Sequence, residues 1–109
     1  MKRIIYICAP MTEDDACPEK IKQYTRYVLQ CDAVPVAPHF YQLCMPKTAK
    51  DRAETIHSAG RSLIWFSDEV WIFGDERTDN MNADLEFCKA LNLKVRKIPE
   101  SLVRKGIKP

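Results

Sequence analysis

Short apolar runs that alternate with helically spaced ones constrain this chain more than any other feature. The clearest instance begins at Val70. Val70, Trp71, Ile72 and Phe73 form an apolar run, residues 74–79 make a polar loop opened by Gly74, and residues 80–91 carry a helical pattern. A strand feeding a helix is where an open α/β sheet holds its ligand, just beyond the strand's carboxyl end. At about 100° per residue, Met81, Ala83, Leu85, Phe87, Cys88, Ala90 and Leu91 share one broad apolar face. Asn82, Glu86 and Lys89 fall opposite. Asp84 breaks the division, lying near the middle of the apolar face in the first turns of the helix. A carboxylate placed there must be neutralised, hydrogen-bonded or used.

The same alternation runs from the first residues. Residues 3–8 are β-branched and aromatic, with no room for a helix before Pro10, and their continuous apolar character predicts a central strand. A loop of small and polar residues follows over 9–15. From 18 to 31, Ile21, Tyr24, Tyr27, Val28 and Cys31 keep helical spacing, with Pro18 suited to a first turn. Residues 33–38 form a proline-bounded strand, and Pro35, which cannot donate to a ladder, places it at a sheet edge. Residues 42–49 read as irregular, and Thr48 to Asp51 as the cap of a helix over 51–66. That helix turns Ala53, Ile56, Ala59, Gly60, Leu63 and Ile64 inward. Gly60 costs helix stability relative to alanine and marks a close approach of another backbone or of a ligand. A third strand spans 69–73, Asn92 stops the 80–91 helix, and a fourth, less buried strand spans 94–98. The basic tail, 99–109, has room for one or two helical turns beside a solvated terminus.

Composition narrows the class. A length of 109 residues supports a single domain, 1–109, with one core. Seventeen basic against fifteen acidic side chains create no field for a nucleic acid polymer. Five cysteines without a CxxC pair point to a reducing, cytoplasmic setting rather than a disulfide framework. Neither cysteines nor histidines have zinc-like spacing, so no metal and no cofactor is expected. The N-terminal apolar run is too short for a signal peptide or a membrane span.

Strand, helix, strand, helix, strand, helix, strand predicts an α/β three-layer sandwich, Rossmann-like, with right-handed crossovers. The parallel sheet has the order 2-1-3-4 and helices on both faces. The switch point between strands one and three brings three segments to one edge. Cys8, Ala9, Pro10 and Met11 come from the first, His39 from the second, and Gly74, Asp79, Asn80 and Met81 from the third. These are the expected ligand-binding residues. Asp84 is the carboxylate that would act there, with Asp75 or Asp79 to move protons.

Taken together, Ile5-Tyr6-Ile7-Cys8-Ala9-Pro10, Ala37-Pro38-His39, the run from Ser67 to Asp75 and that from Asn80 to Leu93 resemble the nucleoside 2-deoxyribosyltransferase-like superfamily. The likeness is to its small, uncharacterised bacterial and phage members and extends to Lys97. It implies a nucleoside or nucleotide site in a homo-oligomer. It also implies that an acid early in the last crevice helix attacks the anomeric carbon, oriented by a tyrosine of the first strand. Tyr6 matches that tyrosine, and Asp84 stands where the family has its nucleophilic glutamate. Aspartate is one methylene shorter, a retreat of more than about 1 Å. The acidic residue of the preceding helix is replaced by Gly60 or Ser62, the base-binding aspartate aligns with Thr78, and Asn80 replaces a glycine.

Three functions fit these residues. The first is a transferase or glycosidase at the N-glycosidic bond, with Asp84, Tyr6 and Asp75 as its catalytic residues. The second is a non-catalytic module that senses or sequesters a nucleotide signal. The third is a thiol enzyme built from Cys8 and His39, against which stands the usual role of a strand cysteine as a small hydrophobe.

Overall fold

Isoleucines at positions 4, 5 and 7 favour extended backbone, and they build β1 (Ile4–Cys8) in the computed structural model of the chain, which describes residues 1–11 and 18–109. The last part of the loop expected over 9–15 lies outside the described residues. There follow α1 (Pro18–Gln30), β2 (Val34–Val36), a 3-10 turn (Pro38–Phe40), α2 (Tyr41–Cys44), α3 (Arg52–Phe66) and β3 (Glu69–Ile72). The chain ends with α4 (Asp79–Ala90), β4 (Lys94–Lys97) and α5 (Glu100–Lys105). All strand pairs are parallel and the order is β2-β1-β3-β4, as the alternation predicts. Tyr6 lies opposite Val36 on one side and Val70 on the other.

The two-residue period of the central strands divides the core. Ile5, Ile7, Trp71 and Phe73 face α1 and α5, where Tyr24, Tyr27, Val28 and Val103 cover them. Tyr6, Cys8, Val70 and Ile72 face α3 and α4, meeting Ile64, Met81 and Cys88. Tyr24 stacks on Phe73 with ring centroids 4.5 Å apart, a contact worth about 0.5–1.5 kcal/mol beyond its area. Glu69 is the buried acid of β3, paired with Arg3 and receiving the Trp71 indole N–H at 3.3 Å. Burial alone would push its carboxyl up, but Trp71, Arg3 and Lys94 outweigh it and hold the carboxyl below its usual range.

Several local expectations change. Residues 41–44 continue the 3-10 turn as α2 rather than as irregular chain. Asp51 takes a left-handed backbone, φ 59°, and its side chain caps nothing; α3 starts at Arg52. Ala53 is exposed and Ala59 half-buried, so the inward face of α3 narrows to Ile56, Gly60, Ile64 and partly Leu63. On α4, Ala83 and Ala90 are exposed, leaving Met81, Asp84, Leu85 and Cys88 as a stripe at i, i+3, i+4 and i+7. Burial follows which turn meets the sheet, and alanine's small side chain exerts little pull either way.

The tail docks. Val103 is buried, the Tyr24 hydroxyl donates to Glu100 Oε1 at 2.6 Å, and the Tyr27 hydroxyl donates to the Ile107 carbonyl at 2.7 Å. Those two tyrosines tie α5 to α1, so the segment is more than a solvated terminus. No helix among the described residues is long and apolar enough to cross a membrane.

Candidate functional site

At the carboxyl edge of β1 and β3 the sheet opens into a narrow cleft. Four elements build it. β1 and the residues after it supply Tyr6, Cys8, Ala9 and Met11; the 3-10 turn supplies Pro38 and His39. From α3 come His57 and Gly60, and from the start of α4 come Thr78, Asn80, Met81 and Asp84. Thr78 caps α4, its Oγ1 accepting the Met81 N–H at 3.1 Å. This fixes the helix entry and turns the 81, 84, 85, 88 stripe toward the sheet.

Asp84 is held from two sides. The buried Tyr6 hydroxyl donates to its Oδ2 at 3.2 Å. Arg61 Nε lies 3.7 Å from its Oδ1, and the same guanidinium sits 5.3 Å from the centre of the Phe87 ring. Burial raises the Asp84 carboxyl above its ordinary value, and the Tyr6 bond, Arg61 and His57 pull it back without cancelling the rise. Tyr6 is pushed up, first by burial and then by Asp84, so it stays protonated and can only donate to the carboxylate. A desolvated carboxylate oriented by one hydroxyl is a stronger base and nucleophile than one in water.

Gly60 makes this contact possible. A Cβ there would lie 3.3 Å from the Tyr6 hydroxyl and 3.3 Å from the Pro38 ring. The groups that approach Gly60 are thus two side chains, a proline ring and a tyrosine hydroxyl, rather than the backbone or ligand expected from sequence.

His39 is 7% exposed and its Nε2 lies 2.9 Å from the Ala9 carbonyl. A carbonyl only accepts, so Nε2 carries the proton and Nδ1 is left as a lone-pair acceptor. Nδ1 is buried and has no hydrogen-bond partner among the described residues. Burial lowers the His39 pKa against the opposing bonds to the Ala9 and Pro10 backbone, which keeps the ring neutral. His39 thus brings to the lining of the cleft a ring with one unsatisfied acceptor.

Burial also pushes the Cys8 thiol up to about 12, with Asp84 adding to the effect. Reactive cysteines need the opposite shift, which stands against the thiol reading. Among the described residues no group of three or more His, Cys, Asp or Glu side chains could hold a metal ion.

Of the residues expected at the site, Tyr6, Cys8, Ala9, Met11, His39, Asn80, Met81 and Asp84 line the cleft. Pro10, Gly74, Asp75 and Asp79 do not line it. Gly74 turns the chain with φ +85°, packed beside the Pro10 ring, and Asp75 and Asp79 are exposed beyond that turn. His57 and Arg61 were not singled out from sequence. The available signal was their spacing around Gly60, with His57 three residues before it and Arg61 next to it.

A family model described as "Domain of unknown function (DUF7768)" matches residues 3–98. No curated protein matches the chain. Among solved structures, a 2-deoxyribosyltransferase from Bacillus psychrosaccharolyticus superposes with a TM-score of 0.69 at 13% identity, covering 95% of this chain and 82% of that one. At that identity the likeness establishes a shared fold.

Proposed function

The chain belongs to the family described as domain of unknown function DUF7768, and from its cleft we propose that it binds a nucleoside or nucleotide and acts on the N-glycosidic bond with Asp84 as nucleophile. The observation that carries this reading is the Asp84 carboxylate: desolvated, bonded by Tyr6, and facing a cleft at the sheet's switch point. The fold shared with a 2-deoxyribosyltransferase supports the same substrate class.

An Asp84 oxygen attacks the anomeric carbon as the carbon–nitrogen bond breaks, the bonding pair leaving with the base, which takes up a proton. The sugar is then held as an ester on Asp84. A second base, or water in a hydrolase, attacks the same carbon and frees the carboxylate, as in retaining glycosidases. Tyr6 keeps the carboxylate pointed at the cleft, and the His39 Nδ1 accepts from the base or the sugar. Aspartate's shorter reach requires the sugar to sit deeper, toward Tyr6 and Gly60.

The reading includes self-association. Trp65 and Phe66 are 63% and 73% exposed and, with Phe87, line an open depression beside Arg61. An aromatic patch of this kind on a small domain is a surface for another protein, and a second copy of this chain is the proposed occupant.

The test is incubation with 2′-deoxynucleosides or their monophosphates, with and without a free acceptor base, followed by chromatography. Released or exchanged base that disappears with Asp84→Ala supports the enzyme. Saturable binding without turnover leaves the non-catalytic module. Absence of both binding and turnover overturns the reading.

A further inference from the structure

The cleft continues past Asn80 into a second depression, lined by Gln42, Arg52, Ala53 and Ile56 and sharing Met11, His57 and Asn80 with the first. Arg52 opens α3 and is the cation of this annexe. Its Nε donates to the Met45 carbonyl at 3.3 Å and one terminal nitrogen donates to the Gln42 carbonyl at 2.9 Å. Both partners are neutral, and no carboxylate pairs with Arg52 among the described residues. A guanidinium has five N–H donors in a planar fork, so three remain after these two bonds. Arg61, the other arginine at the site, already faces Asp84.

The arrangement separates charges along one groove. A carboxylate lies at one end and an arginine without an acid at the other, with His57 and Asn80 between them. Asn80 stands four residues before Asp84 on α4, just over one helical turn or about 6 Å along its axis. In a nucleoside 5′-monophosphate the anomeric carbon and the phosphorus are separated by five bonds, a comparable reach at about 1.5 Å per bond. Asn80 and His57 line both depressions, so a sugar held against Asp84 has Arg52 in the adjoining depression to receive a 5′ substituent. A fork of N–H donors suits phosphate oxygens, in geometry as well as charge.

We infer that Arg52, with Asn80 and His57, forms a phosphate subsite joined to the Asp84 cleft, and that the ligand is a nucleoside 5′-monophosphate rather than a free nucleoside. The inference rests on the proposed nucleoside reading and names the substrate class of that same site. Arg52 also braces the Gln42 and Met45 carbonyls, which rigidifies the annexe around the donors left over.

The experiment measures the affinity of the intact chain for a 2′-deoxynucleoside, its 5′-monophosphate and inorganic phosphate by calorimetry. The monophosphate is expected to bind about tenfold or more tightly than the nucleoside, a ratio that Arg52→Gln reduces toward one. Because Arg52→Gln also loses two backbone contacts, Asn80→Asp serves as the second variant. It places an acid in the first turn of α4, where the helix dipole favours it, and the monophosphate-to-nucleoside ratio is expected to fall there as well. Equal binding of nucleoside and monophosphate, unaltered by either variant, overturns the subsite and leaves the nucleoside reading standing. Inorganic phosphate binding as tightly as the monophosphate overturns it too, since the anion site would then be independent of the cleft. Binding of neither nucleoside nor monophosphate overturns the underlying reading along with it.

Discussion

Asp84 is stabilised by Tyr6, Arg61 and His57, yet its carboxyl remains above its ordinary value because burial outweighs them. A carboxyl raised on folding contributes its stability below the unfolded pKa, about 3.9, and loses it as pH rises through the folded value. Ionised Asp84 therefore costs stability at neutral pH. Asp84→Asn keeps an oxygen for the Tyr6 hydroxyl and removes the charge. It is expected to raise the melting temperature at pH 7, with the gain vanishing near pH 3 where the wild-type carboxyl is protonated. Thermal unfolding at both pH values checks this, and a lower melting temperature at pH 7 would mean that the Arg61 pair dominates instead. A substitution that stabilises the fold while removing the proposed nucleophile is the trade expected at a functional residue.

Residues differ in how openly they announce themselves. Asp84 was visible because an acid inside an apolar stripe violates a pattern carried by its own helix. His57 violates nothing local, and its importance comes from Tyr6, Thr78 and Asp84, which the fold brings near from other elements. Asp75 and Asp79 are the converse case, being close in sequence to the site yet exposed and absent from the lining of the cleft.

At the scale of elements, α4 matters most, since its entry sets where Asn80, Met81 and Asp84 point. Thr78 is its cap, and the sequence reading had begun the helix at position 80 rather than Asp79. Thr78→Ala removes the acceptor for the Met81 N–H and is expected to cost about 1 kcal/mol. Chemical denaturation measures this, and an unchanged midpoint would show that packing of Met81 and Cys88 alone holds the helix end. α3 owes its approach to β1 to Gly60, which admits the Tyr6 hydroxyl and the Pro38 ring. Helix propensity alone makes that glycine unfavourable, and the groups that approach it come from two other elements.

For the whole molecule, two covered faces of the sheet leave the Trp65–Phe66 end of α3 without cover. Light scattering of the purified chain is expected to give a mass that is a multiple of 12.6 kDa. Trp65→Glu is expected to shift it to a single copy, because a charge in a desolvated aromatic contact is costly. A wild-type chain already at one copy would remove self-association from the proposal.

The four strands, the helices other than short α2, the edge position of the Pro35 strand, the 2-1-3-4 order and the convergence of three segments on one edge were legible in the amino-acid sequence. They depend on period, backbone sterics and connection rules, which act between near neighbours or on the order of elements. The rotation of each helix against the sheet was not legible. It decides that Asp84 reaches Tyr6 while Ala83 stays exposed, that His57 and Arg61 join the site, and that Pro10, Gly74, Asp75 and Asp79 stay outside the cleft. That rotation is settled by contacts between residues far apart in the chain, such as Gly60 against Tyr6 and Pro38, and no local pattern records them.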